Sequence, residues 1–277
     1  MPIGSMYSAI SGGRLSALVI RCLGALDLHT HIRLRPILAF FRDHIRPRST
    51  CDVLEIGCGD GINGFELAKL ARQQETFLRY RGIDVDADSL RRARQMAESL
   101  NLSDRITFSQ ENAENLAAAI GEPPDIVLLA DVLEHLQAPE ALLESLRPLF
   151  GSETVCLISV PTPNYERFFG ASFHRRVGHV RSGYRLDELN QLLANVGGRL
   201  LAHRYSTGWI SNIGCAVYYR LPATRRAIAI KSLLLAPFRL LDLYNSPAVS
   251  CSLFAAYRFG PRDPEVDRSP DASRRRR

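Results

Sequence analysis

One stretch of the sequence predicts both the fold and a ligand site: Val53-Leu54-Glu55-Ile56-Gly57-Cys58-Gly59-Asp60-Gly61. Residues 52–56 have the short apolar composition of a buried β-strand, and the glycines that follow are typical of a tight turn into a helix. Glycines let a backbone approach a ligand closely, and the first turn of a helix offers unpaired N–H groups. The stretch therefore predicts a strand, a glycine-rich loop and a helix that together bind a nucleotide or another anion.

Strands and helices alternate along the chain on the C-terminal side of this loop. Strands are predicted at 52–56, 79–84, 106–108, 125–130, 155–160, 199–205, 214–219 and 253–259. Helices are predicted at 63–71, 87–100, 114–120, 138–149 and 187–196. Such alternation with short links indicates an α/β, Rossmann-like fold, a doubly wound and mostly parallel sheet with right-handed crossovers. Ligands bind such sheets at the carboxyl ends of the strands, which is where the loop lies.

The chain divides into four predicted segments. Residues 1–50 form an N-terminal helical segment of two helices, and residues 51–222 form the α/β domain, in which 164–183 are expected to be an aromatic loop. Residues 223–259 hold an amphipathic helix and a final strand, and the basic tail 260–277 is expected to be disordered. The amphipathic stretch is expected to pack on the domain. The alternative is peripheral contact with a membrane or a lipidic substrate, because the stretch also carries cations.

The composition limits the partners that we expect. Net charge is +6, but four of the cations are the terminal residues 274–277, so no basic stripe indicates a nucleic-acid partner. The six cysteines form no CxxC pair and no Cys/His cluster with zinc-ligand spacing, so we expect buried thiols and no metal site. No apolar run is long enough to cross a bilayer, and the expected location is a reducing cytoplasm.

The glycine loop fits two ligand registers. One starts at the strand end and has glycines at alternate positions within 55–61; the other is a Gly-x-Gly-x-x-Gly dinucleotide fingerprint at 59–64, with Asp84 20 residues beyond it. Position favours the first register, because the second needs a strand that continues through Cys58. A carboxylate at Glu55 also suits a ligand with an ammonium group, whereas it would repel a pyrophosphate.

With these motifs the sequence resembles the class I S-adenosylmethionine (SAM)-dependent methyltransferases, in the broad branch that includes the ubiquinone-biosynthesis O-methyltransferases. The resemblance covers about residues 50–205 and lies in five segments in the family's order: 53–61, 82–85, 110–114, 131–136 and 179–193. It implies the class I methyltransferase fold, SAM as cofactor and in-line transfer of a methyl group to a small-molecule acceptor. A hydroxyl oxygen is the expected nucleophile.

The resemblance also implies the cofactor contacts. The residues expected to bind SAM are Glu55, Gly57, Cys58, Gly59, Gly61, Asp84, Val85, Asn112, Ala113 and Asp131. Asp84 would accept hydrogen bonds from the ribose hydroxyls, and Val85 would pack on the adenine. Asn112, which departs from the usual Asp of the family, and Ala113 would face the adenine edge. Asp131 would close the site near the sulfonium, or would instead cap a short helix.

A hydroxyl nucleophile must lose a proton, so a base is expected near the acceptor. His135 and His179 are the expected catalytic residues, and His174 is a weaker candidate. His135 follows Asp131 by four residues and would share its face of a helix. His179 lies in the loop 164–183, which would cover the acceptor. Each histidine has a purely structural alternative.

Two other functions stay open at this point. The glycine register 59–64 would suit a dinucleotide-dependent oxidoreductase, and a non-catalytic subunit with the SAM-binding fold would also carry these motifs. The sequence indicates no oligomeric state, and it identifies the methyl donor better than the methyl acceptor.

Overall fold

The computed structural model describes residues 28–45, 49–111, 122–220 and 246–259, which form one β-sheet flanked by helices. The strands are β1 (Thr50–Ile56), β2 (Phe77–Asp84), β3 (Ile106–Gln110), β4 (Ile126–Ala130), β5 (Val155–Pro161), β6 (Gly198–Tyr205) and β7 (Ser252–Phe259). The helices are α1 (Leu28–His44), α2 (Ile62–Gln73), α3 (Ala87–Ser99), α4 (Pro139–Leu146), α5 (Asn164–Phe169), α6 (Ala171–Arg176), α7 (Leu186–Ala194) and α8 (Trp209–Arg220). Single 3-10 turns span Leu133–His135 and Arg147–Leu149.

The sheet has seven strands in the order β3-β2-β1-β4-β5-β7-β6. Strands β1 to β5 pair in parallel, whereas β7 lies antiparallel between β5 and β6. The chain winds outward from β1 in one direction and then restarts at β4 in the other. The strand order therefore reverses between β1 and β4, and the predicted doubly wound, mostly parallel fold is confirmed.

Two apolar layers hold the sheet, one on each face. Successive residues of a strand point to opposite faces, so Val53 and Leu128 belong to the layer under α1, α2 and α3. Leu54 and Leu129 belong to the layer under α4 and α7. Every residue of β4 and β5 is buried, as both faces of these strands are covered. The two layers fix the carboxyl ends of the central strands in place.

Most predicted elements are confirmed to within a few residues, but the strand predicted at 214–219 is wrong. These residues belong to α8, in which Cys215 and Tyr218 are buried at helical spacing and pack against Ile32 of α1. The loop predicted at 164–183 is also partly wrong, because it contains the short helices α5 and α6. The apolar, aromatic composition of 214–219 fits either state, and the helix buries one of its faces.

Several predicted elements lie outside the described residues. These are most of the first N-terminal helix, predicted at 16–28, the helix at 114–120, the amphipathic stretch 223–244 and the tail 260–277. None of the helices in the described ranges combines the length and the apolar character that crossing a bilayer requires.

Candidate functional site

The glycine loop begins where β1 ends, at Ile56. Gly57, Gly59 and Gly61 have φ angles of +72°, +51° and +77°, in the left-handed region that favours glycine. The N–H groups of Gly57 and of the following cysteine both donate to the carbonyl of Ile83, at 2.7 and 3.0 Å. Because the strand ends before the first glycine, the structure favours the register 55–61 over the dinucleotide register 59–64.

Close packing adds a second requirement for glycine at two of these positions. A Cβ atom at Gly57 would lie 2.6 Å from Cγ2 of Val132, and one at Gly61 would lie 2.5 Å from Cζ of Phe108. A Cβ at Gly59 would meet open space. The loop is thus packed tightly against neighbouring side chains at both ends and is open in the middle.

Asp84 lies at the carboxyl end of β2, directly beside the loop. Its Oδ2 accepts the N–H of Gly59 at 2.7 Å, and its Oδ1 accepts the N–H of Asp86 at 2.9 Å. These two bonds fix the rotamer of a half-buried carboxylate. Each oxygen keeps a lone pair for a further donor, which suits a vicinal diol.

A cleft of about 350 Å³ opens at the carboxyl ends of β1, β2 and β4. Its wall is mostly apolar and is formed by Ile56, Gly57, Ile83, Asp84, Val85, Glu111, Val132, Leu136, Gln137, Ala138, Ala141 and Leu142. Val85 is 71% exposed and offers an apolar contact at the rim of the cleft. Of the predicted cofactor residues, Asn112 and Ala113 lie outside the described residues, next to Glu111. Cys58 is buried and is absent from the cleft wall.

Sequence reasoning missed part of this wall. Glu111 lies inside the matched segment 110–114 but was not expected to reach the ligand, and the apolar residues after position 135 were also missed. The missed apolar residues directly follow the motif after β4, so their closeness to that motif in the sequence was the available signal.

Glu55 lies beneath the loop and is fully buried. The side chain of Asn63 in α2 donates to one of its oxygens, and the hydroxyl of Tyr80 in β2 donates to the other. Burial raises the pKa of this carboxyl to about 7, against the two hydrogen bonds that lower it. In this arrangement Glu55 joins β1, α2 and β2, and its contact with an ammonium group stays a prediction.

The raised pKa of Glu55 predicts a pH-dependent stability. A carboxyl whose pKa rises on folding, here from 4.5 to about 7, contributes its full stability below the lower value and loses it as pH rises through the upper one. Glu55→Gln cannot ionise, so we expect the variant to gain about 2.5 kcal/mol relative to the wild type between pH 5 and pH 8. Urea unfolding at both pH values measures this difference. The exposed Glu98→Gln serves as control, and equal pH dependence in both variants would contradict the prediction.

Asp131 follows β4 with a φ of +55°, and its N–H donates to the carbonyl of Ser159 at 2.8 Å. Its side chain forms an ion pair with Arg33 of α1, a partner that sequence reasoning missed. The 3-10 turn that follows begins only at Leu133, so the alternative of Asp131 as a helix cap is wrong. The expected helical face shared by Asp131 and His135 is also wrong, since no regular helix connects them.

A cluster of polar side chains lies at this turn and contains both predicted catalytic histidines. Ring centroids of His135 and His179 are 4.9 Å apart, and the ring of His174 lies 4.8 Å from that of His179. Nδ1 of His135 lies 3.1 Å from the carbonyl oxygen of Gly178, and burial lowers the pKa of His135. The structure therefore brings together histidines that the sequence places far apart.

Glu134 completes this cluster and was missed at the sequence level. It is fully buried, and burial raises its pKa to about 8. Neither of its carboxylate oxygens has a hydrogen-bond partner among the described residues. Oε1 lies 3.9 Å from Nε2 of His179. The absence of a metal cluster was expected from spacing alone, whereas the fold collects three side chains that metals bind.

Backbone contacts hold the two halves of the cluster together. The N–H of Val180 donates to the carbonyl of Glu134 at 3.0 Å, and the side chain of Arg181 donates to the carbonyl of Leu136 at 2.7 Å. The hydroxyl of Tyr184 donates to the carbonyl of Leu133 at 3.1 Å. These hydrogen bonds therefore hold the cluster in place beside the cleft. Leu136, whose carbonyl accepts from Arg181, also lines the cleft.

Comparison with known proteins agrees with this site. The family model described as "Methyltransferase domain" matches residues 47–186, which include the loop, the cleft and the cluster. The ubiquinone biosynthesis O-methyltransferase of Psychrobacter cryohalolentis is 29% identical over 119 residues, 43% of this chain and 44% of that relative. The match thus spans less than half the length of that curated relative.

Solved structures share the fold at low identity. A candidate sarcosine dimethylglycine methyltransferase from Galdieria sulphuraria has a TM-score of 0.55 at 14% identity and covers 83% of this chain and 85% of its own. The magnesium protoporphyrin IX methyltransferase of Synechocystis PCC 6803, solved with bound SAH, has a TM-score of 0.50 at 16% identity, with 82% and 83% covered. The chain belongs to the class I SAM-dependent methyltransferases.

Proposed function

We propose that the protein transfers a methyl group from SAM to a hydroxyl oxygen of a small molecule. The observation that carries the proposal is the fixed carboxylate of Asp84 beside the glycine loop, at the rim of a mostly apolar cleft. That pairing suits a ligand with a diol and a flat aromatic base. The sulfonium of such a ligand is intrinsically reactive, so proximity and orientation supply much of the rate.

In the proposed complex the glycines at 57–61 line the methionine and ribose of SAM, and Asp84 accepts hydrogen bonds from the ribose hydroxyls. Val85 packs against the adenine, and the neighbouring Asn112 and Ala113 face its edge. Asp131 closes the site near the sulfonium, held from α1 by Arg33. Support comes from the described residues among these groups, which follow the carboxyl ends of β1, β2 and β4, where doubly wound sheets bind ligands.

Oxygen as the nucleophile is supported by the relatives named as ubiquinone biosynthesis O-methyltransferases. A hydroxyl must lose its proton during the transfer, and an aromatic cluster with three histidines lies next to the cleft. We infer that His135 and His179 act on the acceptor hydroxyl. Tyr165, whose ring lies 5.2 Å from that of His179, would then contact the acceptor.

Calorimetric titration with SAM and with NAD tests the cofactor. We expect SAM to bind at micromolar concentration with one site per chain, and NAD not to bind at the same concentrations. Binding of NAD alone would restore the oxidoreductase alternative. The register of the loop predicts this outcome. Because β1 ends at Ile56, the glycine-rich turn begins at Gly57, as the register 55–61 requires.

Transfer of labelled methyl groups tests the reaction itself. We expect radioactivity from methyl-labelled SAM to enter low-molecular-weight compounds of a cell extract, and alkaline hydrolysis to leave the product label in place, as an ether requires. Tight SAM binding without transfer to any extract would favour the alternative of a non-catalytic subunit. Label found in protein or RNA would contradict the small-molecule acceptor.

A further inference from the structure

Helix α8 presents a row of large apolar side chains on its outer face. Trp209, Ile213 and Val217 recur every four residues along the helix and are 56%, 53% and 42% exposed. No charged residue occurs in the sequence of the helix before its last position, and the polar side chains of Ser211 and Asn212 are buried. The apolar row formed by residues 209, 213 and 217 is therefore the reverse of the polar face that a helix normally turns to water.

The inner face of α8 is packed against the rest of the protein. Cys215 and Tyr218 contact Ile32 of α1, and the side chain of Asn212 donates to the carbonyl of Val249 at 2.7 Å. These contacts fix the rotation of the helix about its own axis, so the apolar row is held on the side that faces away from them. An exposed row of this kind is unfavourable in water, and it marks a surface to which another apolar group binds.

We propose that residues 221–245 of the same chain, which lie outside the described residues, pack on this apolar row. The chain leaves the C-terminal end of α8 at Arg220, and the described part resumes at Ser246. Three residues further on, the carbonyl of Val249 is held by Asn212 in the first half of the helix. Asn212 and Arg220 lie only about 12 Å apart along the helix axis, so both ends of the segment are fixed beside α8.

The length and the composition of the segment suit this position. It is 25 residues long, far more chain than a link of this span needs, so it can run back along the whole helix. Most of its residues are apolar, among them Leu233, Leu234 and Leu241. Such a stretch gains free energy by burial against another apolar surface. The side chains at 213 and 217 lie between its two fixed ends and offer that surface.

Two other occupants fit the apolar row less well. Its three side chains expose on the order of 300 Å², whereas each subunit of a stable dimer buries about 800 Å². A helix that lies on an anionic bilayer carries cations on its polar face, but α8 has none before Arg220. A segment tethered at both ends needs neither a large area nor added charge, because the tethers give it a high effective concentration at the row.

The fluorescence of Trp209 tests the proposal, because this residue is the only tryptophan of the chain. Emission spectra and acrylamide quenching are recorded on the full chain, with dilution from micromolar to submicromolar concentration. We expect a blue-shifted emission and weak quenching relative to N-acetyltryptophanamide, with no change on dilution or on addition of phosphatidylglycerol vesicles. A red emission with strong quenching overturns the proposal. A blue shift that needs a high protein concentration or vesicles also overturns it, in favour of a second copy or a membrane.

A pair of matched variants tests the segment itself. Leu234→Asp/Leu241→Asp places two carboxylates among its apolar side chains, so the emission of Trp209 should shift to the red and its quenching should increase. Thr224→Asp/Ser232→Asp adds the same charge at polar positions and should leave both unchanged. Both variants should keep SAM affinity, which shows that the α/β domain is folded. Equal emission and quenching in the two variants would show that the segment does not cover α8.

Discussion

Replacement of Asp84 by alanine is expected to weaken SAM binding about a hundredfold. In the proposed complex this carboxylate accepts both ribose hydroxyls, and hydrogen bonds to a charged group are worth about 1.5–3 kcal/mol each. Loss of about 3 kcal/mol corresponds to a little more than two orders of magnitude in Kd. The variant also frees the N–H of Gly59, so the loop loses an anchor. Calorimetric titration with SAM measures the change.

Asp88→Ala is the matched control for this variant. Asp88 is an exposed carboxylate in the first turn of α3, only four residues away, and pairs with Arg91. It contributes the same charge to the surroundings but has no place in the cleft wall. Equal losses of SAM affinity in the two variants would show that charge and not the position of the carboxylate matters. An unchanged Kd in Asp84→Ala would remove the ribose assignment.

The second large effect is expected from Gly57→Ala. Alanine at a φ of +72° costs about 1–2 kcal/mol, and its Cβ would overlap Cγ2 of Val132, a contact of 2.6 Å that costs about 1–3 kcal/mol more. We expect the free energy of unfolding to fall by about 2–5 kcal/mol in urea titrations. SAM affinity should fall as well, because Val132 moves within the cleft wall.

Two further variants separate backbone strain from overlap. Gly59→Ala has a positive φ of +51° but open space around the new Cβ, so it should lose only the strain contribution. The double variant Gly57→Ala/Val132→Ala relieves the overlap and should recover part of the loss at position 57. If Gly57→Ala and Gly59→Ala destabilise the protein equally, the packing against Val132 is not the cause.

The sheet was predictable because its central strands are buried on both faces. Strands β1, β4 and β5 read as short apolar runs, and the glycines fixed the end of β1 within a residue. The edge of the sheet was harder to predict. Residues 214–219 have aromatic and β-branched side chains that suit a strand, and only the packing of Cys215 and Tyr218 against α1 shows that they are helical.

The positions of the glycine loop and of Asp84 were predictable because both directly follow strands. Their meeting at one edge of the sheet follows from the parallel order of those strands. The surroundings of Glu55 were not accessible, because its partners Asn63 and Tyr80 belong to two other elements. The proximity of Glu134 to His179 was missed for the same reason. Spacing rules detect side chains that are near in sequence, and these two approach each other only through the segment after β5 that contains α5 and α6.

The placement of β7 has a consequence for how the chain acquires its structure during synthesis. This strand is among the last described residues, yet it lies inside the sheet. It pairs with β5 on one side and with β6 on the other. Until it emerges from the ribosome, one side of β5 and all of β6 lack backbone partners, although the loop and cleft are already translated. Long-range pairing of this kind is slow and leaves an edge open to other chains. The sheet that carries the proposed cofactor site is therefore completed only when residues well outside the matched family region have been synthesised.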